Sequence, residues 1–224
     1  MVTILYLIRH GETEGAEKRR YKGTTDVPLS ENGIRQMEQL SAYIVKEIKN
    51  CSNPPSPPLL KGGKGGLLDA VYCSDLKRAI KSAELIAEPH SINPIIVPSL
   101  RERNFGIWEG MSFDEIKEKY PEKFDAWAGN PLKFSPMGGE STLEVKSRVM
   151  KALDEIIRNH NGKHFAIVAH GGVNRIILSH WLGIPLENIF RIEQDYGALN
   201  IVEFWDRYPV VKLINGMLNS LEKE

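Results

Sequence analysis

The sequence predicts an α/β fold built on a mainly parallel sheet, and three short apolar runs predict it. Val2-Thr3-Ile4-Leu5-Tyr6-Leu7-Ile8, Ala70-Val71-Tyr72-Cys73 and Phe165-Ala166-Ile167-Val168-Ala169 have strand length, and their near-continuous apolar character marks strands buried on both faces. Each run ends in a polar turn: Arg9-His10-Gly11-Glu12-Thr13, Ser74-Asp75-Leu76-Lys77-Arg78-Ala79 and His170-Gly171-Gly172. Ligands of open α/β sheets bind in the crevice outside the carboxyl ends of the strands, so one pocket can collect two arginines and two histidines from three strand ends. Arginine forks match phosphate oxygens, and histidine acts as nucleophile or acid near neutral pH. The chemistry indicated is phosphoryl transfer. A single Arg-His-Gly triplet would carry little weight, because short motifs recur by chance. Three such turns together carry much more.

Taken in order, the first turn is followed by residues 15–22 (GAEKRRYK), a polar and basic loop bordering the pocket mouth. Most of its charges are expected to be solvated, with one or two left to steer an anionic substrate. Ser30 is the expected N-cap of a helix whose Ile34, Met37, Leu40, Ile44, Val45 and Ile48 share a face, with Gly33 tolerated in its first turn at small cost. Residues 51–66 (CSNPPSPPLLKGGKGG) hold four prolines and four glycines and read as a linker, extended through Pro54–Pro58 and flexible from Gly62 to Gly66. Pro54 and Pro57 also have the spacing of a ligand for an aromatic groove, a spacing that any proline-rich insert produces by chance. Preceding a strand, the insert is expected at the end of the sheet opposite the catalytic turns.

Ser74 is the expected cap of a helix carrying Arg78, Ile80, Ala83, Leu85 and Ile86, with Arg78 in a first turn whose backbone N–H groups favour anions. Pro94–Val97 reads as a short strand, and Leu100 begins an irregular loop with Glu102, Phe105, Gly106, Trp108 and Glu109. Ser112 with Glu115 and Ser141 with Glu144 form two capping boxes. The helix after the second is expected to present Leu143, Val149, Leu153, Ile156 and Ile157 to a core. Tyr120, Pro121, Phe124, Trp127 and Phe134 in a polar background predict a small helical cap over the pocket, within residues 103–140, where Trp127 either packs or stacks on substrate. Val173–Leu182 reads as helix, and Ala198–Phe204 and Val210–Ile214 as strands.

Length and charge narrow the class further. The 224 residues suffice for a substantial core, and nothing in the composition splits residues 1–224 into separate domains. Twenty-nine basic against 29 acidic residues argue against a nucleic-acid or membrane electrostatic footprint. Two cysteines are too few for a disulfide framework, and Cys73 inside a strand reads as a buried thiol, which fits a reducing compartment. The first apolar run lacks a preceding basic region and is too short to span a bilayer, so a soluble, cytoplasmic protein is expected.

The same turns carry a resemblance. Arg9–Thr13, Gly23–Gly33 (GTTDVPLSENG), Ser74–Ala79 (SDLKRA), Leu100–Gly110 (LRERNFGIWEG), Gly138–Ser141 (GGES) and His170–Val173 (HGGV) together resemble the histidine phosphatase superfamily. The likeness is to the branch containing cofactor-dependent phosphoglycerate mutases, and within it most closely to alpha-ribazole phosphatases; it spans nearly the whole chain. It implies a three-layer, phosphoglycerate mutase-like sandwich and a metal-independent phosphomonoesterase. His10 would attack phosphorus to give a phosphohistidine that water hydrolyses. Arg9 and Arg78 would grip the phosphoryl oxygens in a site that includes Gly23 and Gly171, and His170 would stabilise the transferring group. Glu102, in a Glu-Arg-x-aromatic-Gly pattern, is the implied general acid; Glu109 and Glu12 are weaker candidates for which hydrogen bonding in a turn is the expected role. No metal or other cofactor is implied. The implied partner is a small phosphorylated metabolite, first alpha-ribazole 5′-phosphate of cobalamin biosynthesis, and a homodimer is compatible with the family.

The chain departs from many relatives at Ala16, where they place an asparagine that touches phosphate. A broad-specificity phosphatase remains an alternative. A phosphoglycerate mutase is disfavoured because the chain runs straight from Glu102 to Phe105–Gly110 without the longer segment of true mutases, although it shares Arg103 with them. An inactive phosphate-binding domain is disfavoured by retention of Arg9, His10, Arg78, Glu102 and His170 together.

Overall fold

The structure, a computed structural model, describes residues 2–18, 20–51, 67–206 and 208–218. Its strands are β1 (Thr3–Arg9), β2 (Ala70–Cys73), β3 (Ile95–Ile96), β4 (His164–Ala169), β5 (Leu199–Trp205) and β6 (Tyr208–Gly216). They form one sheet in the order β3-β2-β4-β1-β5-β6. The three apolar runs of the sequence lie side by side at its centre. β1 pairs in parallel with β4 from Ile4↔His164 to Arg9↔Ala169, and β4 pairs in parallel with β2. β5 runs antiparallel to β1 and β6 antiparallel to β5, so the sheet is mixed but mostly parallel.

The helices are α1 (Glu31–Cys51), α2 (Lys77–Ala87), α3 (Phe113–Lys119), α4 (Pro121–Gly129), α5 (Thr142–Arg158) and α6 (Gly171–Leu182). Because successive strand residues point to opposite faces, each central strand feeds two cores. Tyr6, Ile8, Val71, Ala166 and Val168 pack on one side against Met37, Leu40 and Ile44 of α1 and Ala79, Ala83 and Ile86 of α2. Leu5, Leu7, Phe165 and Ile167 pack on the other against Val145, Val149 and Leu153 of α5 and Val173 and Ile177 of α6. The result is the α/β sandwich of three layers that the resemblance implies. No helix among the described residues is long and apolar enough to cross a membrane.

Local signals explain most element ends. The Ser30 hydroxyl accepts the Gly33 N–H at 3.1 Å, capping α1 as expected. Both capping boxes form, Ser112 with Glu115 on α3 and Ser141 with Glu144 on α5. Three readings need correction. Gly33 is a requirement rather than a tolerated cost, since a Cβ there would lie 2.0 Å from the Glu12 carbonyl oxygen. Leu143 is exposed, and the inward positions of the first α5 turn belong to Thr142, which donates to the Pro131 carbonyl, and Val145. Ser74 does not cap α2, whose N-cap is Leu76 with no side-chain bond. The Pro/Gly-rich insert, apart from Cys51, lies outside the described residues.

Over the carboxyl ends of the strands sit α3 and α4. Phe113 meets Phe124 with ring centroids 4.9 Å apart, Phe124 meets Trp127 at 5.6 Å, and Trp108 meets Trp127 at 6.3 Å. This aromatic cluster, rather than a long helical interface, joins the two short helices to the loop below.

Candidate active site

The carboxyl ends of β1, β2 and β4 converge on one point. His10 follows β1, and its N–H extends the ladder to the Ala169 carbonyl at 3.1 Å. Its ring is buried, with Nδ1 2.8 Å from the Gly11 carbonyl. A carbonyl only accepts, so Nδ1 carries the proton and a neutral ring leaves the Nε2 lone pair free. Burial above all, then the Arg78 and Arg9 charges, hold the His10 pKa well below the usual imidazole range. His10 is therefore held as a neutral, oriented imidazole.

Arg78, in the first turn of α2, is 2% exposed and donates to the carbonyls of Thr25 at 2.7 Å and Gly23 at 2.6 Å. Gly23 has φ +50°, and a Cβ there would meet the Glu109 carboxylate. Glu109 in turn accepts from the Thr24 N–H and from both Thr24 and Thr25 hydroxyls. Glu12 accepts from the Ser30 hydroxyl at 2.9 Å. Both acids are thus tied into turns.

Arg9 closes the other side. It donates to the Gln194 carbonyl, its guanidinium lies 3.8 Å from the Tyr196 ring centroid, and its Nε is buried without a partner among the described residues. Gln194 is fixed by Asn200 of β5, which donates to the Leu7 carbonyl of β1 at 3.0 Å. His170 is the N-cap residue of α6, fully buried, with its ring 5.1 Å from that of His10 and its Nε2 2.7 Å from the Ser74 hydroxyl. Burial, then His10, Arg78 and Arg9, push its pKa well down as well.

Glu102 spans the gap between loop and helix. One carboxylate oxygen accepts the Gly172 N–H at 3.0 Å and the other the Arg103 N–H at 2.9 Å. Gly172 permits this approach, because a Cβ there would lie 2.5 Å from the carboxylate. Arg103 braces the loop through the Glu140 and Phe134 carbonyls and the Thr142 hydroxyl. Arg148 adds bonds to the Glu102 carbonyl and the Glu140 carboxylate.

These groups surround a cavity of about 280 Å³ whose lining includes Arg9, His10, Gly23, Arg78, Glu102 and Gly171. Seven residues singled out in the sequence, these six and His170, therefore gather at one place. From the basic loop, Arg20 and Lys22 also reach the wall, Arg20 held by Glu115 at 2.6 Å. Ala16 lies in a single 3₁₀ turn and does not line the cavity. Beyond the cationic floor the wall is aromatic, with Tyr21, Phe105, Trp108, Phe113, Phe124 and Trp127. Trp127 thus both packs and faces the cavity. Among the described residues no group of three or more His, Cys, Asp and Glu is placed to hold a metal ion. Sequence reasoning missed Tyr196 and Gln194, which no local pattern marks, and misread Ser74, whose place beside Arg78 was the available signal.

Residues 5–51 and 63–216 match the profile described as histidine phosphatase superfamily (branch 1), the gap falling within the Pro/Gly-rich insert. "Phosphoserine phosphatase 1" of Hydrogenobacter thermophilus is 30% identical over 211 residues, 94% of this chain and 91% of that protein. "Metal-independent phosphoserine phosphatase" of Arabidopsis thaliana is 36% identical over 179 residues, 79% of this chain and 67% of that protein. The crystal structure of the alpha-ribazole phosphatase from Shigella flexneri has a TM-score of 0.78 at 25% identity, covering 95% of this chain and 96% of that one.

Proposed function

The chain belongs to branch 1 of the histidine phosphatase superfamily and is a phosphatase; we propose that it cleaves small phosphomonoesters through a phosphohistidine on His10, with alpha-ribazole 5′-phosphate as the favoured substrate. Phosphate esters are inert in water, so the site must supply a nucleophile, neutralise the phosphoryl oxygens and protonate the leaving oxygen. In this reading Arg9, Arg78 and the N–H group of Gly171 receive the oxygens, within a shell that includes Gly23, while the Gly172 N–H stays on Glu102. The α6 N-terminus adds its positive end to the two guanidinium charges. The His10 Nε2 lone pair forms the bond to phosphorus as the ester P–O bond breaks, while Nδ1–H stays on the Gly11 carbonyl. Glu102 gives its proton to the leaving oxygen. It then takes one from the water whose oxygen displaces Nε2, which releases inorganic phosphate and restores His10.

The observation that carries the substrate choice is the aromatic wall beyond the clamp. A flat benzimidazole on a ribose matches it, and Glu102 is the only carboxylate among the described lining residues, so a substrate ammonium would have no second acid to meet. A second reading, a carboxylate-bearing ester such as phosphoserine, is favoured by Arg175. Its Nε and one terminal nitrogen hold the Ile192 carbonyl and Glu193, while Nη1 has no hydrogen bond among the described residues and lies 3.2 Å from where a Gly171 Cβ would be.

The test is a hydrolysis panel in the presence of a chelator, comparing alpha-ribazole 5′-phosphate, phosphoserine, 3-phosphoglycerate and p-nitrophenyl phosphate. The proposal expects kcat/KM for alpha-ribazole 5′-phosphate to exceed that for phosphoserine at least about tenfold, a difference of about 1.4 kcal/mol in the barrier. The reverse order, lost selectively in Arg175→Gln, would establish the second reading. His10→Ala is expected to abolish turnover and acid-labile phosphoryl labelling on every substrate.

A further inference from the structure

Ser74 has a place in the structure that a helix cap would not explain. It is fully buried, and its hydroxyl oxygen lies 2.7 Å from Nε2 of His170 while accepting the Leu76 N–H at 3.4 Å. His170 is buried to the same degree, and its second ring nitrogen, Nδ1, has no partner among the described residues. Buried polar atoms are nearly always hydrogen-bonded, so Nδ1 of His170, like Nε of Arg9, is a nitrogen that a bound ligand can satisfy. That ring packs edge-on against His10 with centroids 5.1 Å apart, and the Arg78 and Arg9 charges act on it.

We propose that Ser74 is a positioning residue that donates its hydroxyl proton to Nε2 of His170 and so fixes His170 as the tautomer with its proton on Nδ1, set to donate to a phosphoryl oxygen. The inference rests on the phosphatase reading of the site and deepens it. It follows from a count of donors and acceptors. Phosphoryl oxygens only accept, so a neutral His170 that meets them must carry its proton on Nδ1. Nε2 is then a bare acceptor in a dry interior, where an unpaired acceptor costs about 1–3 kcal/mol. The Ser74 O–H is the group beside it, and the lone pairs of the same oxygen remain for the Leu76 N–H. Without Ser74 the ring is free to move its proton to Nε2, which turns a lone pair toward the phosphoryl oxygens.

The experiment is a long-range ¹H–¹⁵N spectrum of protein labelled at its six histidines, recorded at pH 7.5 without substrate, with His170 assigned by its loss in His170→Gln. The expected result is a His170 protonated on Nδ1 and bare on Nε2. In Ser74→Ala the Nε2–H tautomer appears, and kcat on p-nitrophenyl phosphate falls at least about tenfold with KM within about threefold, as befits loss of a donor that acts in the transition state. Ser74→Thr, which keeps the hydroxyl, restores both the tautomer and most of kcat. A wild-type His170 carrying its proton on Nε2 overturns the proposal with no variant needed, so poor folding of Ser74→Ala cannot shelter it. A Ser74→Ala protein with the wild-type tautomer and wild-type kcat overturns it equally. Failure of the phosphatase reading registers elsewhere, as wild-type protein that hydrolyses none of the panel.

Discussion

Glu102, the proposed general acid, is positioned by atoms that are not side chains. Its two oxygens are held by the N–H groups of Gly172 and Arg103, which place the carboxylate at the positive end of α6 and on the rim of the cavity. Orientation of this kind gives a general acid its value, because the proton must lie within hydrogen-bond reach of the leaving oxygen. The proposed role separates leaving groups. Glu102→Gln should slow hydrolysis of an alkyl phosphate by about 10²–10⁴, the usual worth of a general acid. It should slow p-nitrophenyl phosphate by less than about tenfold, since a nitrophenolate departs without a proton. Steady-state kinetics on both substrates decides the matter, and equal losses would reassign Glu102 to holding the loop against α6.

At the scale of the element, what was legible in the sequence follows from how far each interaction reaches along the chain. β1, β2 and β4 could be read because burial on both faces leaves unbroken apolar runs, and Arg9, His10, Arg78 and His170 could be read because they follow those runs directly. Tyr196 and Gln194 could not, because their contact with Arg9 depends on β5 lying antiparallel beside β1, an adjacency that no local pattern encodes. Ser74 was misread because a serine shortly before a helix is usually a cap, and only the neighbouring β4 end, 96 residues away in sequence, gives it another partner. Helix α1 could be read from its Ser30 cap and its apolar face, though not the packing demand at Gly33, and it supplies a prediction about the insert that follows it. α1 starts against Gly11 and Glu12 at the catalytic end and runs 21 residues, about 30 Å at 1.5 Å per residue, before the chain returns to β2 at Ala70. The described anchors of the insert therefore lie at the end of the sheet away from His10. Replacing Ser52–Gly65 by a short Gly/Ser linker should leave kcat/KM within about threefold, under about 0.7 kcal/mol in the barrier. A folded variant with a large loss would mean that the insert reaches the site, or completes it in a neighbouring copy.

For the whole molecule, the site imposes a dependence of stability on pH. Burial lowers the pKa of His10, His90, His164 and His170, those of His10 and His170 well below the ordinary value because the Arg78 and Arg9 charges add to burial. The unfolded chain, with histidines near pH ~6.5, then binds more protons than the folded one as the solution is acidified. The sign is fixed: this stability is fully present above pH ~6.5 and is lost as pH falls through the lower folded values, by about 1.4 kcal/mol per pH unit for each extra proton on the unfolded chain. Glu140 and Asp75 have lowered values too, but unfolded carboxylates titrate near pH ~4, so the interval from pH 6.5 to 5 belongs to the histidines. Urea midpoints should accordingly fall from pH 7 to pH 5 in the wild type. The slope should flatten in a His10→Asn, His170→Gln double variant, which keeps the arginines and removes the two most depressed groups. An unchanged slope in that variant would show that the two histidines are protonated in the folded site, and that His10 is not held there as a neutral nucleophile.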